Sequence, residues 1–162
     1  MSAANPYPNR PYPVGQLEYP LEPERAAKIA DLNRLCMLEF GEQEVMFDMP
    51  RIVGMEGAYV NLGHAMGGSA LLLARGLEDQ GFKNSMVHSV DTFTYFKHQW
   101  EQANAEIERL GIKQIELYRG KTTEVIKDFW DHKRRIVFAF IDADHSYEGV
   151  KADWENYGPM CR

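Results

Sequence analysis

Tyr59-Val60-Asn61-Leu62-Gly63-His64-Ala65-Met66-Gly67-Gly68-Ser69-Ala70 is the stretch from which the rest of the chain is read. A short apolar run, Ala58 to Leu62, ends in a glycine cluster, and from Ser69 to Gln80 a stripe of Leu72, Leu73 and Leu77 follows at helical spacing. A short apolar run bounded by glycine marks a strand, and a three-to-four residue repeat marks a helix, so the segment reads as strand, tight loop, helix. The alternation recurs. Met86–Val90, Gln114–Tyr118 and Ile136–Ile141 predict strands, and Gln99–Leu110 and Thr123–His132 predict helices between them. Strands joined through helices of this length imply right-handed crossovers and a parallel sheet. The expected fold class is therefore α/β, a doubly wound parallel sheet of strand order 3-2-1-4.

Upstream, Ile29, Leu32, Leu35, Cys36 and Phe40 fall at helical steps and predict one helix that stops at Gly41, with a second, short helix from Glu42 to about Val53. Six of the eight prolines lie in the first 23 residues, with Tyr7, Tyr12 and Tyr19 between them. Proline has no backbone N–H to give, so residues 1–22 read as an extended arm and 23–162 as the domain.

The chain has 162 residues, 44% of them hydrophobic, which suits one core of ordinary size. Its 18 Lys and Arg against 24 Asp and Glu give a net charge of −6, the wrong sign for a nucleic-acid partner. Cys36 and Cys161 lack C-x-x-C spacing, which argues against a disulfide framework or structural zinc and points to the cytoplasm. No run approaches the roughly 18 apolar residues of a membrane span, so no membrane partner is expected. Ile136–Ile141 has no polar residue on either face, yet the order 3-2-1-4 makes it an edge strand. An apolar edge calls for cover. Further chain, a second subunit of a homo-oligomer, or the N-terminal arm is expected beside it.

Two places carry chemistry. Glycines let a ligand approach the backbone, and the free N–H groups at a helix start near Ser69 attract a carboxylate or phosphate; a ligand-free tight turn is the alternative. Asp91 ends the second strand 22 residues beyond Ser69, close to the spacing at which an acidic side chain binds ribose hydroxyls, although a plain strand-end carboxylate occupies the same place. The loop is G-x-x-x-G-G-S rather than G-x-G-x-x-G, so a nicotinamide dinucleotide fits it less well. The second place is Asp142-Ala143-Asp144-His145-Ser146-Tyr147-Glu148, at the C-terminal end of the apolar strand, where open α/β sheets bind ligands. There an imidazole is suited to take up a proton. The bland reading has Asp144 capping a turn and His145 bonded to backbone. Asp153 and Glu155 read as solvated surface charge, and Tyr95, Phe96 and Trp100 as core or lid packing.

Four segments in order, NLGHAMGGSALLLA, VHSVDTF, YRGKT and FIDADHSYEGVKADW, resemble the class I S-adenosylmethionine-dependent methyltransferases, in particular the catechol-type and sugar-tailoring O-methyltransferases. The resemblance spans roughly Glu42 to Tyr157. It implies a Rossmann-like fold, S-adenosyl-L-methionine as cofactor and a small hydroxylated molecule as methyl acceptor; it also implies later strands that this chain lacks. By position, Gly63 and Gly67 border the methionine part, Ser69 binds its carboxylate, Asp91 takes the ribose, Phe93 lies against the adenine and Thr122 meets its amino edge. His64 is within reach of the cofactor. Asn61 departs from the Glu that usually helps hold the ammonium group. Asp142 matches an acidic residue that binds the cofactor region and a divalent cation such as Mg2+, and His145 matches a general base. Asn61 and the missing strands also admit a non-catalytic cofactor-binding or interaction protein derived from a truncated methyltransferase core.

Overall fold

The computed structural model describes residues 21–131 and 135–161, with backbone alone for 128–131. The expected arm, apart from Leu21 and Glu22, lies outside these residues, as does His132 at the end of the expected helix Thr123–His132. The first expected helix is two pieces, α1 (Pro23–Ala27) and a 3-10 segment, Ala30–Leu35, which buries Leu32 and Leu35. Helix α2 (Phe40–Val53) starts just before Gly41 instead of stopping there. The reason is a reciprocal cap: Glu39 N–H donates to the Glu42 carboxylate at 2.8 Å, while the Glu39 side chain accepts from the helix. Local periodicity saw the apolar stripe and missed the cap.

Ion pairs strap α1 to the body. Arg25 reaches Asp48 at 2.7 Å and Asp79 at 3.0 Å, and Lys28 reaches Asp79 at 2.6 Å. Burial pushes the Asp48 carboxyl up, but bonds from Arg51 and Arg25 prevail and hold it below the usual carboxylate range.

Strands β1 (Ala58–Leu62), β2 (Met86–Asp91), β3 (Ile115–Arg119) and β4 (Ile136–Ile141) form one parallel sheet of order β3-β2-β1-β4, as expected. Helices α3 (Gly68–Gln80) and α4 (Gln99–Leu110) cover one face together with α1 and α2, against Tyr59, Val87 and Phe138. Helices α5 (Thr122–Asp131) and α6 (Tyr147–Tyr157) cover the other, against Val60, Leu62 and Val90. The two neighbours of β1 are thus reached by crossovers on opposite faces, so the loops after β1 and β4 diverge and leave a crevice at their C-terminal ends.

Ile136 is buried and the rest of β4 is half-buried, in keeping with its edge position. Beyond α6, Cys161 pairs in parallel with Ile136. Among the described residues, this bridge places Cys161 beside the start of β4.

The tightest helix crossing is α2 on α3. A Cβ on Gly76 would lie 2.2 Å from the Phe47 carbonyl and 3.0 Å from the Pro50 ring, whereas one on Gly41 would meet nothing within 4 Å. Backbone cannot step aside as a side chain does. Gly76→Ala should therefore cost about 2 kcal/mol or more in urea unfolding, while Gly41→Ala should be neutral or stabilise by up to about 1 kcal/mol.

Candidate functional site

The glycine turn grows out of both neighbours of β1. Gly63 N–H donates to Val90 O at 2.8 Å on one side, and Asp142 N–H donates to Leu62 O at 2.8 Å on the other. Gly63 has φ +94°, and a Cβ there would sit 2.3 Å from the Asp142 carbonyl, so no side chain fits. The turn continues through Ala65 at φ 47° and Gly67 at φ 98°. Asp91 holds this shape. Its Oδ2 accepts from the N–H of His64 at 2.8 Å and of Ala65 at 3.2 Å, and its Oδ1 accepts from Phe93 N–H at 2.6 Å and, at 3.5 Å, from the Thr92 hydroxyl. The residue read as a ribose ligand is thus first a staple between two loops. Gln99, which sequence reading passed over, is a second staple: it donates to Ala65 O at 2.9 Å and accepts from Tyr95 N–H at 3.0 Å and Phe96 N–H at 3.2 Å. Nothing in a lone glutamine at a helix start signals this.

Beneath the turn lies a buried polar trio. Asn61 Nδ2 donates to Gly63 O at 2.7 Å and to Ser89 Oγ at 3.1 Å, and Ser89 Oγ lies 2.8 Å from His64 Nδ1. Asn61 Oδ1 is buried without a hydrogen-bond partner. Burial, partly opposed by the charge of Asp91, lowers the His64 pKa to about 4. The Phe93 ring packs 5.2 Å from His64 and 4.9 Å from Trp100 between centroids and is 4% exposed, which leaves little of it for a base. Helix α3 begins at Gly68 with Gly67 as its N-cap and no capping side chain, and Ser69 sits half-buried in that first turn.

A cleft of about 330 Å³ is lined by Asp91, Thr92, Thr122, Asp144 and Asp153. It brings Thr122 to the same space as Asp91. Tyr157 O–H donates to Thr122 O at 2.9 Å and so fixes the start of α5. Asp153, read as surface charge, is 2% exposed; burial raises its carboxyl pKa against the hydrogen bond with Thr122. The tertiary contact of α6 with α5, invisible to sequence period, buries it. A larger cleft of about 490 Å³ is lined by Arg34, Glu106, Gln99 and the turn residues Ala65 and Met66, and includes none of Asp91, Thr122 or Asp142.

At the end of β4, Asp144 does cap: its Oδ1 accepts from Ser146 N–H at 2.9 Å, and Ser146 Oγ accepts from Gly149 N–H at 3.0 Å to start α6. His145 bonds no backbone. Its Nε2 lies 3.1 Å from Asp142 Oδ1, with the imidazole 78% exposed. Among the described residues no three His, Cys, Asp or Glu side chains converge as a metal cluster.

A family model described as a methyltransferase domain matches residues 60–162. The chain belongs to that family. No curated protein matches it. Among solved structures, the O-methyltransferase from Bacillus cereus in complex with SAH superposes with a TM-score of 0.66 at 19% identity, covering 89% of this chain and 64% of that one. CalS11, a TDP-rhamnose 3'-O-methyltransferase of calicheamicin biosynthesis, gives 0.59 at 20% identity, covering 88% of this chain and 68% of that one. MycE of the mycinamycin pathway, in complex with Mg and SAH, gives 0.54 at 12% identity, covering 88% and 35%. At these identities the likeness is one of fold. This methyltransferase-family chain spans less than two thirds of the length of the Bacillus cereus protein. No helix of the described residues is long and apolar enough to cross a membrane.

The buried imidazole gives a pH test. In the unfolded chain it takes up a proton near pH 6.5, in the folded one only near 4, so stability falls as pH drops through that window. Between pH 7 and 5, His64 should cost about 2 kcal/mol. Urea unfolding of the wild type and of His64→Gln at both pH values checks this: the variant's loss should be smaller by that amount.

Proposed function

We propose that this methyltransferase-family protein transfers a methyl group from S-adenosylmethionine to a hydroxyl of a small-molecule acceptor. The observation that supports this most is one residue serving two ends of the site. Asp142 lies with its backbone against β1 at the glycine turn, N–H to Leu62 O 2.8 Å, and with its carboxylate 3.1 Å from His145. A ligand seated on the turn and a proton acceptor are thereby held side by side.

The residues fit the cofactor's parts. Asn61 Oδ1, buried and unpartnered, matches an ammonium donor. Gly63 and Gly67 leave the main chain bare, and the uncapped first turn of α3, with Ser69, offers N–H groups to a carboxylate. Asp91 Oδ1 accepts a sugar hydroxyl in exchange for its 3.5 Å contact with Thr92, and Thr122 borders the space left for the base. Phe93 acts here chiefly as the packed support of the turn. When bound, S-adenosylmethionine supplies an electrophilic methyl on sulfur, and transfer breaks one C–S bond and makes one C–O bond.

The chain's own share is positioning and proton removal. His145 Nε2 lies 3.1 Å from Asp142 Oδ1, so Nδ1 is the nitrogen turned away to accept the acceptor's hydroxyl proton, with the carboxylate beside the ring to stabilise the resulting imidazolium. Asp142 and His145 offer a cation one carboxylate and one imidazole, whereas Mg2+ takes six ligands, mostly oxygen. These two side chains alone do not make its site, and no step here depends on one. A second reading, a protein that binds the cofactor without using it, is favoured by the neutral Asn61.

Calorimetry with S-adenosylhomocysteine and transfer of labelled methyl to phenol and sugar acceptors test both readings. Asp91→Ala should weaken binding by about 1 to 3 kcal/mol. His145→Gln should leave binding intact and slow transfer by about 100-fold or more. Binding with no transfer to any acceptor would favour the second reading, and no binding would overturn both.

A further inference from the structure

We propose that Ser89, on β2, is a positioning residue that orients both the Asn61 amide and the His64 imidazole toward the amino-acid end of the cofactor; this rests on the methyltransferase reading above. The protons available in the trio fix the direction of each bond. Gly63 O can only accept, so the Asn61 NH2 group must face it at 2.7 Å, and its other N–H points at Ser89 Oγ, 3.1 Å away. Ser89 accepts there and has one proton left. Its remaining partner is His64 Nδ1 at 2.8 Å.

If Nδ1 carried a hydrogen, the Ser89 proton, on a residue with 0% exposure, would have no acceptor among these partners, and an unmet buried donor is costly. Ser89 therefore donates to Nδ1, and the neutral imidazole carries its hydrogen on Nε2. That nitrogen faces Gly67, the N-cap of α3: a Cβ on Gly67 would lie 2.9 Å from it. The relay thus leaves two polar atoms without a hydrogen-bond partner among the described residues, a buried acceptor at Asn61 Oδ1 and a donor at His64 Nε2–H. An acceptor and a donor set around one bare turn match a group that carries an ammonium and a carboxylate together. Neither atom depends on an ionised side chain, so the match is made by orientation, and Ser89 sets the orientation.

The test uses the full chain, wild type and Ser89→Ala, titrated with S-adenosylhomocysteine and with 5'-methylthioadenosine, which keeps the nucleoside and lacks the amino-acid end. Ser89→Ala should raise the Kd for S-adenosylhomocysteine about tenfold and leave that for 5'-methylthioadenosine unchanged. Nitrogen-15 NMR of the ligand-free proteins should show the Nε2–H tautomer at His64 in the wild type and a mixture in the variant. An equal loss for both ligands, no loss for either, or an Nδ1–H tautomer in the wild type would overturn the assignment. A wild type that binds neither ligand would overturn the methyltransferase reading and this assignment with it, whereas a binding wild type with an indifferent variant overturns the assignment alone.

Discussion

One carboxylate, that of Asp91, keeps two loops of this protein in shapes the backbone would not otherwise hold. It accepts from the N–H groups of His64, Ala65 and Phe93, two of which belong to residues with positive φ. Backbone in that region costs of order 1–3 kcal/mol for a residue with a side chain, and partly buried N–H groups need acceptors. A charged acceptor at the tip of β2 meets both demands, because charge-assisted bonds are the strong ones. The end of β1 and the end of β2 therefore move as one piece, and any ligand bound on the turn is bound on the sheet.

Beneath that staple the molecule uses neutral polarity. Asn61, Ser89 and His64 are buried side by side in what would otherwise be apolar core, joined by hydrogen bonds to one another and to Gly63. Burial keeps the imidazole uncharged at neutral pH. A buried network of this kind is worth keeping only where its members are satisfied or where a ligand completes them. Asn61 Oδ1 is the buried atom of this trio without a hydrogen-bond partner among the described residues. The charged chemistry sits outside, on Asp142 and His145, exposed at the end of β4. The crevice thus has neutral, buried polarity beneath the turn and exposed, ionisable side chains at its rim.

Much of this was legible in the residue order. Strand and helix periods located β1, β4 and α4 at their observed bounds and the parallel order of all four strands, because apolar pattern and crossover handedness are local or nearly so. That the glycine turn, Asp91 and Asp142–His145 lie at the C-terminal ends of β1, β2 and β4 was legible for a related reason: the ends of the strands can be counted. What stayed hidden depended on partners far away in sequence. Ser89 becomes significant only through its register opposite Asn61, 28 residues earlier. Gln99 matters through Ala65, and Asp153 is buried by the docking of α6 on α5. The start of α2 at Phe40 was hidden for a local reason, a reciprocal Glu39–Glu42 cap that outweighs an apolar stripe.

The sequence by itself determined the α/β class, the place of the glycine turn and the residue types available there, since each follows from spacing along the chain. The tertiary structure alone decided which of those side chains are charged, which are buried and which are already committed to holding backbone. Protonation and hydrogen-bond partners are properties of what lies within a few ångströms, and that is set by strand register and helix docking.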